Sequence, residues 1–382
     1  MEDSIKQIIE SYDPNTPLAE AWTIPATWYV DPRIMDLERR TVFAQSWQLV
    51  GRAEQVQKPG QYITWELAGE PILVVRGDDQ VLRGFFNVCR HHAAAVVTAA
   101  EGETRNLRCP YHGWTYSLEG ELRGTPDFAG VCNFDRAANG LVPIETAVWE
   151  NWVFVKLDRG APALESFLGA DLIDQTRGLG LGNFHWMERR RYTLDCNWKV
   201  FVDNYLDGGY HVPYLHKGLD SVLDYSNYTI ETGERWCLQA SPVVTKGAET
   251  QTGAVRTGDR ALYYWIYPNF MINWYDGVMD TNLVIPHGPR GIDRCEVIFD
   301  FYFTDVSEFA RERNLASIAV GERIQGEDVA ICKAVQRGLN SRAYAAGRLS
   351  VRREAGERLF HKLLYADLKA GVGRQKIRPG DE

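Results

Sequence analysis

Between Trp47 and about Leu157 the chain runs in short apolar or alternating stretches, among them Tyr62-Ile63-Thr64-Trp65, Ile72-Leu73-Val74-Val75 and Trp152-Val153-Phe154-Val155, punctuated by turns such as Gly77-Asp78-Asp79. Runs this short, rich in β-branched and aromatic residues and bounded by Gly and Asp, predict strands. The flanks read differently. Upstream, Asp31-Pro32 opens a helical pattern through Ile34, Leu37, Val42 and Phe43, since proline at the first helical position forfeits no hydrogen bond. Downstream, the pattern predicts a helix near 163–179, a long helix from Asn197-Trp198-Lys199 onward, strands over 263–274 and 295–303, and a helical region over about 306–346 before a basic, glycine-containing tail. The expected division is an N-terminal helical segment, 1–45, packing with the last part; an all-β domain, 46–157; and a mixed α and β domain, 158–382. No internal repeat or low-complexity tract interrupts it.

A length of 382 residues suits two domains with sizeable cores. With 24% charged and 45% hydrophobic residues the balance is that of an ordinary globular protein. The net charge of −9 argues against a nucleic-acid partner, because phosphate binding needs concentrated positive charge. The sharpest basic run, Arg189-Arg190-Arg191 after Glu188, reads as a solvated or structural feature, with a docking patch for an acidic electron carrier as the alternative. No stretch approaches the roughly 18 apolar residues of a membrane span, and Met1-Glu2-Asp3 lacks the features of a signal peptide. A cytoplasmic protein without membrane contact is the expectation. Of seven cysteines, Cys132, Cys196, Cys237, Cys295 and Cys332 are widely spaced, and buried free thiols are their default.

The other two cysteines belong to paired signatures, Cys89-Arg90-His91 and Cys109-Pro110-Tyr111-His112. Two thiolates and two imidazoles are the donor inventory of a Rieske-type [2Fe-2S] cluster, with Cys89 and Cys109 on one iron and His91 and His112 on the other. The competing reading is a structural zinc site, whose ligand pairs are usually two to four residues apart, whereas the first pair here is separated by one. Both signatures fall in the all-β region, where hairpin tips would hold the imidazoles outward. Ala94 and Tyr111 stand where high-potential Rieske proteins carry two further cysteines, so no disulfide can flank the cluster.

A second ligand set lies in Asp203-Asn204-Tyr205-Leu206-Asp207-Gly208-Gly209-Tyr210-His211-Val212-Pro213-Tyr214-Leu215-His216. Positions 203, 207 and 211 share one face of a helix. His216 would point away from an undistorted helix, and Pro213 could break it and let His216 return. Two histidines and one carboxylate on one face of a metal, with open positions opposite, make a non-heme Fe(II) oxygenase site. A distant carboxylate candidate is Asp328, in Gln325-Gly326-Glu327-Asp328, which by itself reads as a solvated helix residue. His185, His287 and His361 have no ligand-like neighbours in sequence.

Together these segments, with Tyr267-Pro268-Asn269-Phe270-Met271-Ile272-Asn273 and Met279-Asp280-Thr281-Asn282-Leu283, resemble the catalytic α subunits of Rieske non-heme iron oxygenases along nearly the whole chain, and within them the choline-oxidising branch. The second signature is complete as Cys109-Pro110-Tyr111-His112-Gly113-Trp114, whereas His92-Ala93 replace the usual Arg-Gly of the first. The resemblance implies an α+β protein: an all-β Rieske domain and a helix-grip catalytic domain whose antiparallel sheet covers the iron helices. It implies mononuclear Fe(II) on His211, His216 and Asp328, and electrons from NAD(P)H through a separate reductase or ferredoxin. It further implies a homotrimer in which one subunit's cluster serves its neighbour's iron. The implied reaction is O₂-dependent hydroxylation of a small molecule, choline or another quaternary ammonium compound. Ring dioxygenation and O- or N-demethylation are alternatives within the family. A plain electron carrier or zinc-stabilised binding protein would leave the last ~220 residues unexplained. The family usually bridges its two metal sites by a carboxylate three residues before the first iron histidine, and here that residue is Gly208. Asp207, on the His211 face, is the favoured substitute; Asp203, followed by Asn204 where the family has Glu-Asn, is another, and an absent bridge a third. Tyr264, Trp265, Trp274 and Tyr275 are candidates for an aromatic cage around a cation, though each would serve equally as core.

Overall fold

The computed structural model describes residues 4–160, 162–244, 255–256, 258–288 and 291–372; the basic tail expected after about 346 is, as far as 372, not a tail but holds the helix Ala355–Gly371, and of it only 373–382 lie outside the described residues. The chain forms two compact units, Phe43–Phe167 and the pair of segments Met1–Val42 and Leu168–Glu382.

In the first unit, β1 (Gln48–Arg52), β2 (Gln61–Leu67), β3 (Glu70–Arg76), β4 (Leu82–Phe86) and β5 (Glu101–Glu103) join β9 (Pro143–Trp149) and β10 (Trp152–Lys156) in a seven-stranded sheet of order β1-β10-β9-β4-β3-β2-β5. A small sheet of β6 (Leu107–Arg108), β7 (Thr115–Tyr116) and β8 (Leu122–Gly124) carries the second signature at the tip of its β6–β7 hairpin. The first signature is not on a hairpin. It lies in the connection from β4 to β5, strands that β3 and β2 separate in the sheet. Leu73, Phe85, Val96, Leu107, Trp114 and Leu122 pack in one core that also takes in Cys89 and Cys109.

The second unit is built on an antiparallel sheet of order β11-β17-β16-β15-β14-β13-β12. Its strands are β11 (His185–Leu194), β12 (Thr229–Thr232), β13 (Trp236–Pro242), β14 (Arg260–Ile266), β15 (Phe270–Tyr275), β16 (Val278–Pro286) and β17 (Cys295–Phe303). The strand expected over 263–274 is thus two strands and a turn. Three helices, Trp198–Leu206, Arg311–Leu339 and Ala355–Gly371, pack against the sheet. The predicted helix near 163–179 is two short ones, Leu164–Leu168 and Ala170–Arg177, parted at Gly169 with φ 86°. Near the N-terminus, Asp31 caps the helix Pro32–Glu38 by accepting Arg33 N. Glu38 is fully buried, 2.6 Å from Lys199 Nζ, and accepts Trp198 Nε1 at 2.8 Å, so a buried ion pair ties this segment to the helix that leads into the second ligand set.

The arginine run is structural: Arg189 reaches Asp300 at 2.6 Å, Arg190 Glu322 at 2.8 Å and Arg191 Glu296 at 3.0 Å. Of the five unassigned thiols four are buried, while Cys132 is exposed, contrary to the default. No helix among the described residues is long and apolar enough to cross a membrane.

Candidate active site and metal centres

The two signatures fold into loops of one design. Cys89 N donates to Ala94 O at 2.9 Å and Ala93 N to Cys89 O at 3.0 Å; Cys109 N donates to Trp114 O at 2.8 Å and Gly113 N to Cys109 O at 3.1 Å. Each loop turns through a left-handed residue four after its cysteine, Ala93 at φ 59° and Gly113 at φ 71°. Glycine suits that position, and alanine there costs about 1 kcal/mol. The cysteines are sunk in the core with their thiols adjoining, whereas His92 and His112 are exposed and His91 is half-buried. The imidazole nitrogens of His91, His92 and His112 lie within 4.8 Å of one another. His91 stacks on Trp114 at 4.7 Å and 8°, and its Nδ1 is buried without a hydrogen-bond partner, an orphaned atom of the kind a metal satisfies. Desolvation first, then the charges of His92 and His112, hold the His91 pKa down. Tyr116 Oη accepts Arg90 N at 3.0 Å, leaving its own proton for Cys89 Sγ at 3.3 Å; hydrogen bonds to sulfur help set the potential of such a cluster. The donor set fits a Rieske cluster, thiolates inside and imidazoles at the rim.

For the second set, Asn197 caps Trp198–Leu206 by accepting Lys199 N at 3.1 Å. The helix then stops, because Gly208 and Gly209 both take φ 68°. The single helix face expected for Asp203, Asp207 and His211 is therefore corrected: Asp207 ends the helix and His211 follows a two-glycine turn. The turn still unites them. Asp207 Oδ2 accepts His211 N at 3.0 Å and lies 2.6 Å from His211 Nδ1, while Oδ1 accepts Tyr210 N at 3.1 Å. Pro213 does not break a helix; it sits in the first turn of a new one, Val212–Leu215, beyond which His216 swings back. The His211 and His216 rings stand 4.8 Å apart at 78°. His216 Nε2 is 3.1 Å from Asp328 Oδ1 and its Nδ1 is 2.6 Å from Glu327 Oε2.

Ligand atoms of His211, His216 and Asp328 all fall within 4.8 Å of one another. Two donors held about 2.1 Å from one ion at right angles are about 3 Å apart, so the His216–Asp328 spacing suits a shared metal. Each histidine gives Nδ1 to a carboxylate and keeps Nε2 for an ion, the usual support of a metal-ligating imidazole. Burial works against charge on His216, but Asp328 and then Glu327 outweigh it and raise its pKa. Asn204 Nδ2 donates to Asp328 Oδ1 at 2.9 Å and positions it.

Asp203 does not join this group. Its Oδ1 is 3.0 Å from His361 Nε2, its Oδ2 accepts Tyr29 Oη at 2.5 Å, and Glu357 Oε1 is 3.8 Å from the same His361 nitrogen. His361, without neighbours in sequence, is fully buried here, and burial followed by the charge of Asp203 pushes the Glu357 carboxyl well above its usual range. Glu327, the partner of His216, escaped the sequence reading although it adjoins Asp328. Position 208 can bear no carboxylate: besides its φ, a Cβ there would lie 2.1 Å from Arg353 O.

A cavity of about 120 Å³ opens beside His211, His216 and Asp328, walled by Tyr205, Tyr228, Tyr263, Tyr275 and Phe299. Of the cage candidates only Tyr275 lines it; Tyr264, Trp265 and Trp274 do not. The two-residue strand period puts Tyr263 and its partner Asn273 on the cavity face and turns Tyr264 and Trp274 away. Trp265 packs on Phe360 at 5.6 Å instead. Deeper in the wall, Arg256 and Asp280 are buried and 3.9 Å apart.

Cysteine–histidine loops in one unit and a histidine–carboxylate cavity in the other define an iron oxygenase supplied with electrons through an iron–sulfur cluster. Residues 46–135 match the Rieske [2Fe-2S] domain and residues 181–369 the catalytic domain of the ring-hydroxylating alpha subunit. Choline monooxygenase of Arabidopsis thaliana is 40% identical over 96% of this chain and 87% of its own length. The carnitine monooxygenase oxygenase subunit of Escherichia coli is 31% identical over 90% and 93%. A solved quaternary ammonium Rieske monooxygenase superposes with a TM-score of 0.82 at 26% identity, covering 96% of this chain and 99% of that one. The chain belongs to the Rieske non-heme iron oxygenases, oxidoreductases that combine a [2Fe-2S] cluster with a mononuclear iron and draw electrons from a separate reductase.

Proposed function

We propose that this protein is the oxygenase component of a monooxygenase acting on a small quaternary ammonium compound, with choline the leading substrate. The observation that carries the reading is the tyrosine-walled cavity at the His211, His216 and Asp328 group. A methylated ammonium cannot donate a hydrogen bond and is held by aromatic faces, at about 0.5 to 2 kcal/mol per contact. The names of the choline and carnitine monooxygenases among its relatives support the same class. The balanced reaction takes R–CH₂OH, O₂, two electrons and two protons to R–CH(OH)₂, an aldehyde hydrate, and water.

When bound, the cluster supplies single electrons and the ferrous ion on His211, His216 and Asp328 supplies O₂ activation. The chain orients and excludes. Asp207 and Glu327 fix the imidazoles through Nδ1, Asn204 fixes Asp328, and the cavity wall holds the substrate away from bulk water. Asp207 is also the proposed bridge between metal sites, supported by its hold on His211 and its 17% exposed side chain; Asp203 is occupied by His361 and Tyr29. A homotrimer with electron transfer between subunits is supported by aromatic side chains exposed at both sites, Tyr111 at 65% and Tyr214 at 77%. NAD(P)H acts through a reductase or ferredoxin. Five free thiols outside the cluster signatures, Cys132, Cys196, Cys237, Cys295 and Cys332, accord with a reducing compartment such as the cytoplasm.

The test is oxygen uptake with a surrogate reductase, with product measured alongside, for choline, carnitine, betaines and simple arenes. Stoichiometric aldehyde hydrate from choline supports the reading; coupled turnover of arenes alone replaces it with ring hydroxylation.

A further inference from the structure

We propose that Cys196, Cys295 and Cys332 form a peroxide-responsive thiol switch, in which a disulfide between Cys196 and Cys295 alters the joint between the two helices that carry the iron site. The inference is independent of the substrate and uses only the oxygen chemistry of the family. Three chain segments meet at this point: the turn that leaves β11, the first residue of β17 and the helix Arg311–Leu339. Cys196 Sγ lies 3.7 Å from Cys295 Sγ, and the Cys332 thiol adjoins the same sulfur. Cys196 and Cys295 are 0% exposed and Cys332 1%, yet all three lie just beneath the surface. Each has an exposed neighbour in sequence, and these neighbours form one ion-pair cluster, with Arg294 and Lys333 both 3.4 Å from Asp195. Exposed pairs of this kind add little stability, so the cover over the thiols opens easily to a molecule as small as peroxide.

The three sulfurs are not equivalent. Hydrogen bonds from Cys295 and then Cys332 lower the Cys196 pKa against the effect of burial, and the same contacts raise those of Cys295 and Cys332. Cys196 also directly precedes Asn197, the N-cap of the helix Trp198–Leu206, where the helix dipole favours an anion. One thiolate therefore faces two thiols, the arrangement of an attacking and a resolving cysteine. When reduction of O₂ escapes the substrate, O₂, two electrons and two protons give H₂O₂. The Cys196 thiolate attacks one peroxide oxygen and the O–O bond breaks, which leaves a sulfenic acid on Cys196 and hydroxide. Cys295 Sγ then displaces the sulfenic oxygen as water and forms the S–S bond. Two thiols are oxidised and one peroxide is reduced to two waters. The consequence falls on the iron site because the two helices touch at Asn197 N and Gln336 Oε1, 2.7 Å apart, and at Asn204 Nδ2 and Asp328 Oδ1, 2.9 Å apart. Cys332 stands one turn from both Asp328 and Gln336 on the buried face of its helix. A disulfide about 2 Å long draws Cys196 toward β17 and away from Cys332, which shifts Asn204 against Asp328.

The experiment treats the resting, iron-loaded holoenzyme with hydrogen peroxide, blocks the remaining thiols in denaturant and maps the peptides by mass without reduction. The expected result is a cross-linked peptide joining Cys196 to Cys295, reversed by dithiothreitol, while Cys237, whose pKa burial pushes up to about 12, stays free. The cross-linked protein is expected to bind its catalytic iron at least about 10-fold more weakly in a chelator competition, and to recover after reduction. Cys196→Ala, treated alike, should keep its iron. Oxidation of exposed Cys132 while Cys196, Cys295 and Cys332 all remain free to be blocked would mean that the three thiols only pack, and would overturn the inference. A cross-link without change in iron affinity overturns it equally, as does equal iron loss in Cys196→Ala. None of these outcomes touches the quaternary ammonium reading, which is tested by product formation.

Discussion

The two histidine sites of this chain solve opposite problems. Around the cluster loops the histidines are at the rim, His112 and His92 exposed, over cysteines buried in an apolar core. At the cavity His216 is 2% and Asp328 8% exposed, and every ligand candidate is held by a second polar group. An electron can pass through an imidazole at a surface, so the cluster loops need only hold sulfur away from water. Oxygen chemistry must be kept from solvent and aimed at one bond, and on the proposed reading Asp207, Glu327 and Asn204 stand behind the candidate ligands for that purpose.

Breaking each site separately is the strongest challenge to that contrast. Cys109→Ser should abolish the visible absorption of the cluster, and His216→Ala should leave the spectrum intact. Both should lower product formation by at least about 10³-fold, as read from absorbance and coupled turnover. Next in size is the buried ion pair. Glu38→Ala strands Lys199, whose side chain is fully buried, and should destabilise the catalytic unit by about 3 to 5 kcal/mol in denaturant unfolding. Smaller again, Glu327→Gln weakens the support of His216 Nδ1 and should lower iron affinity about 10- to 100-fold in a chelator competition, with the cluster unaffected.

The smallest effect concerns pH. Burial, opposed by the Tyr267 hydrogen bond, raises the Asp367 pKa from 3.8 to about 6. Its neutral form is the one the fold prefers. Its contribution is therefore fully present below about pH 4 and is lost as pH rises through about 6. Asp367→Asn should remove that loss, gaining about 1 to 3 kcal/mol on the wild-type protein between pH 5 and 7, measured as a pH series of thermal midpoints.

The candidate cluster site could be read from the sequence because its four proposed ligands lie in two compact signatures, and His211 and His216, which the fold brings together with Asp328, because they fall within six residues. Asp328 needed the family resemblance, being brought by a different helix. The role of Asp203 was hidden for another reason: the helix Ala355–Gly371 buries Glu357, Arg358 and His361 beside Phe360 and Leu364, and a polar inner face gives no amphipathic signal. The two-glycine turn was misread because a spacing of four looks helical even where successive positive φ values forbid a helix. Of the four cage candidates Tyr275 lines the cavity and Tyr264, Trp265 and Trp274 do not, since a strand's apolar run does not reveal which of its faces meets the cavity.

The central claim is that one chain holds two unlike iron sites and that His211, His216 and Asp328 form the catalytic one. Iron and acid-labile sulfide, counted per chain in anaerobically matured wild-type and Asp328→Ala proteins, test it most directly. The account predicts one iron beyond the pair in the cluster for the wild type, and loss of that iron alone in the variant, with sulfide unchanged. Zinc without sulfide in the wild type, or an unchanged iron count in the variant, would contradict it.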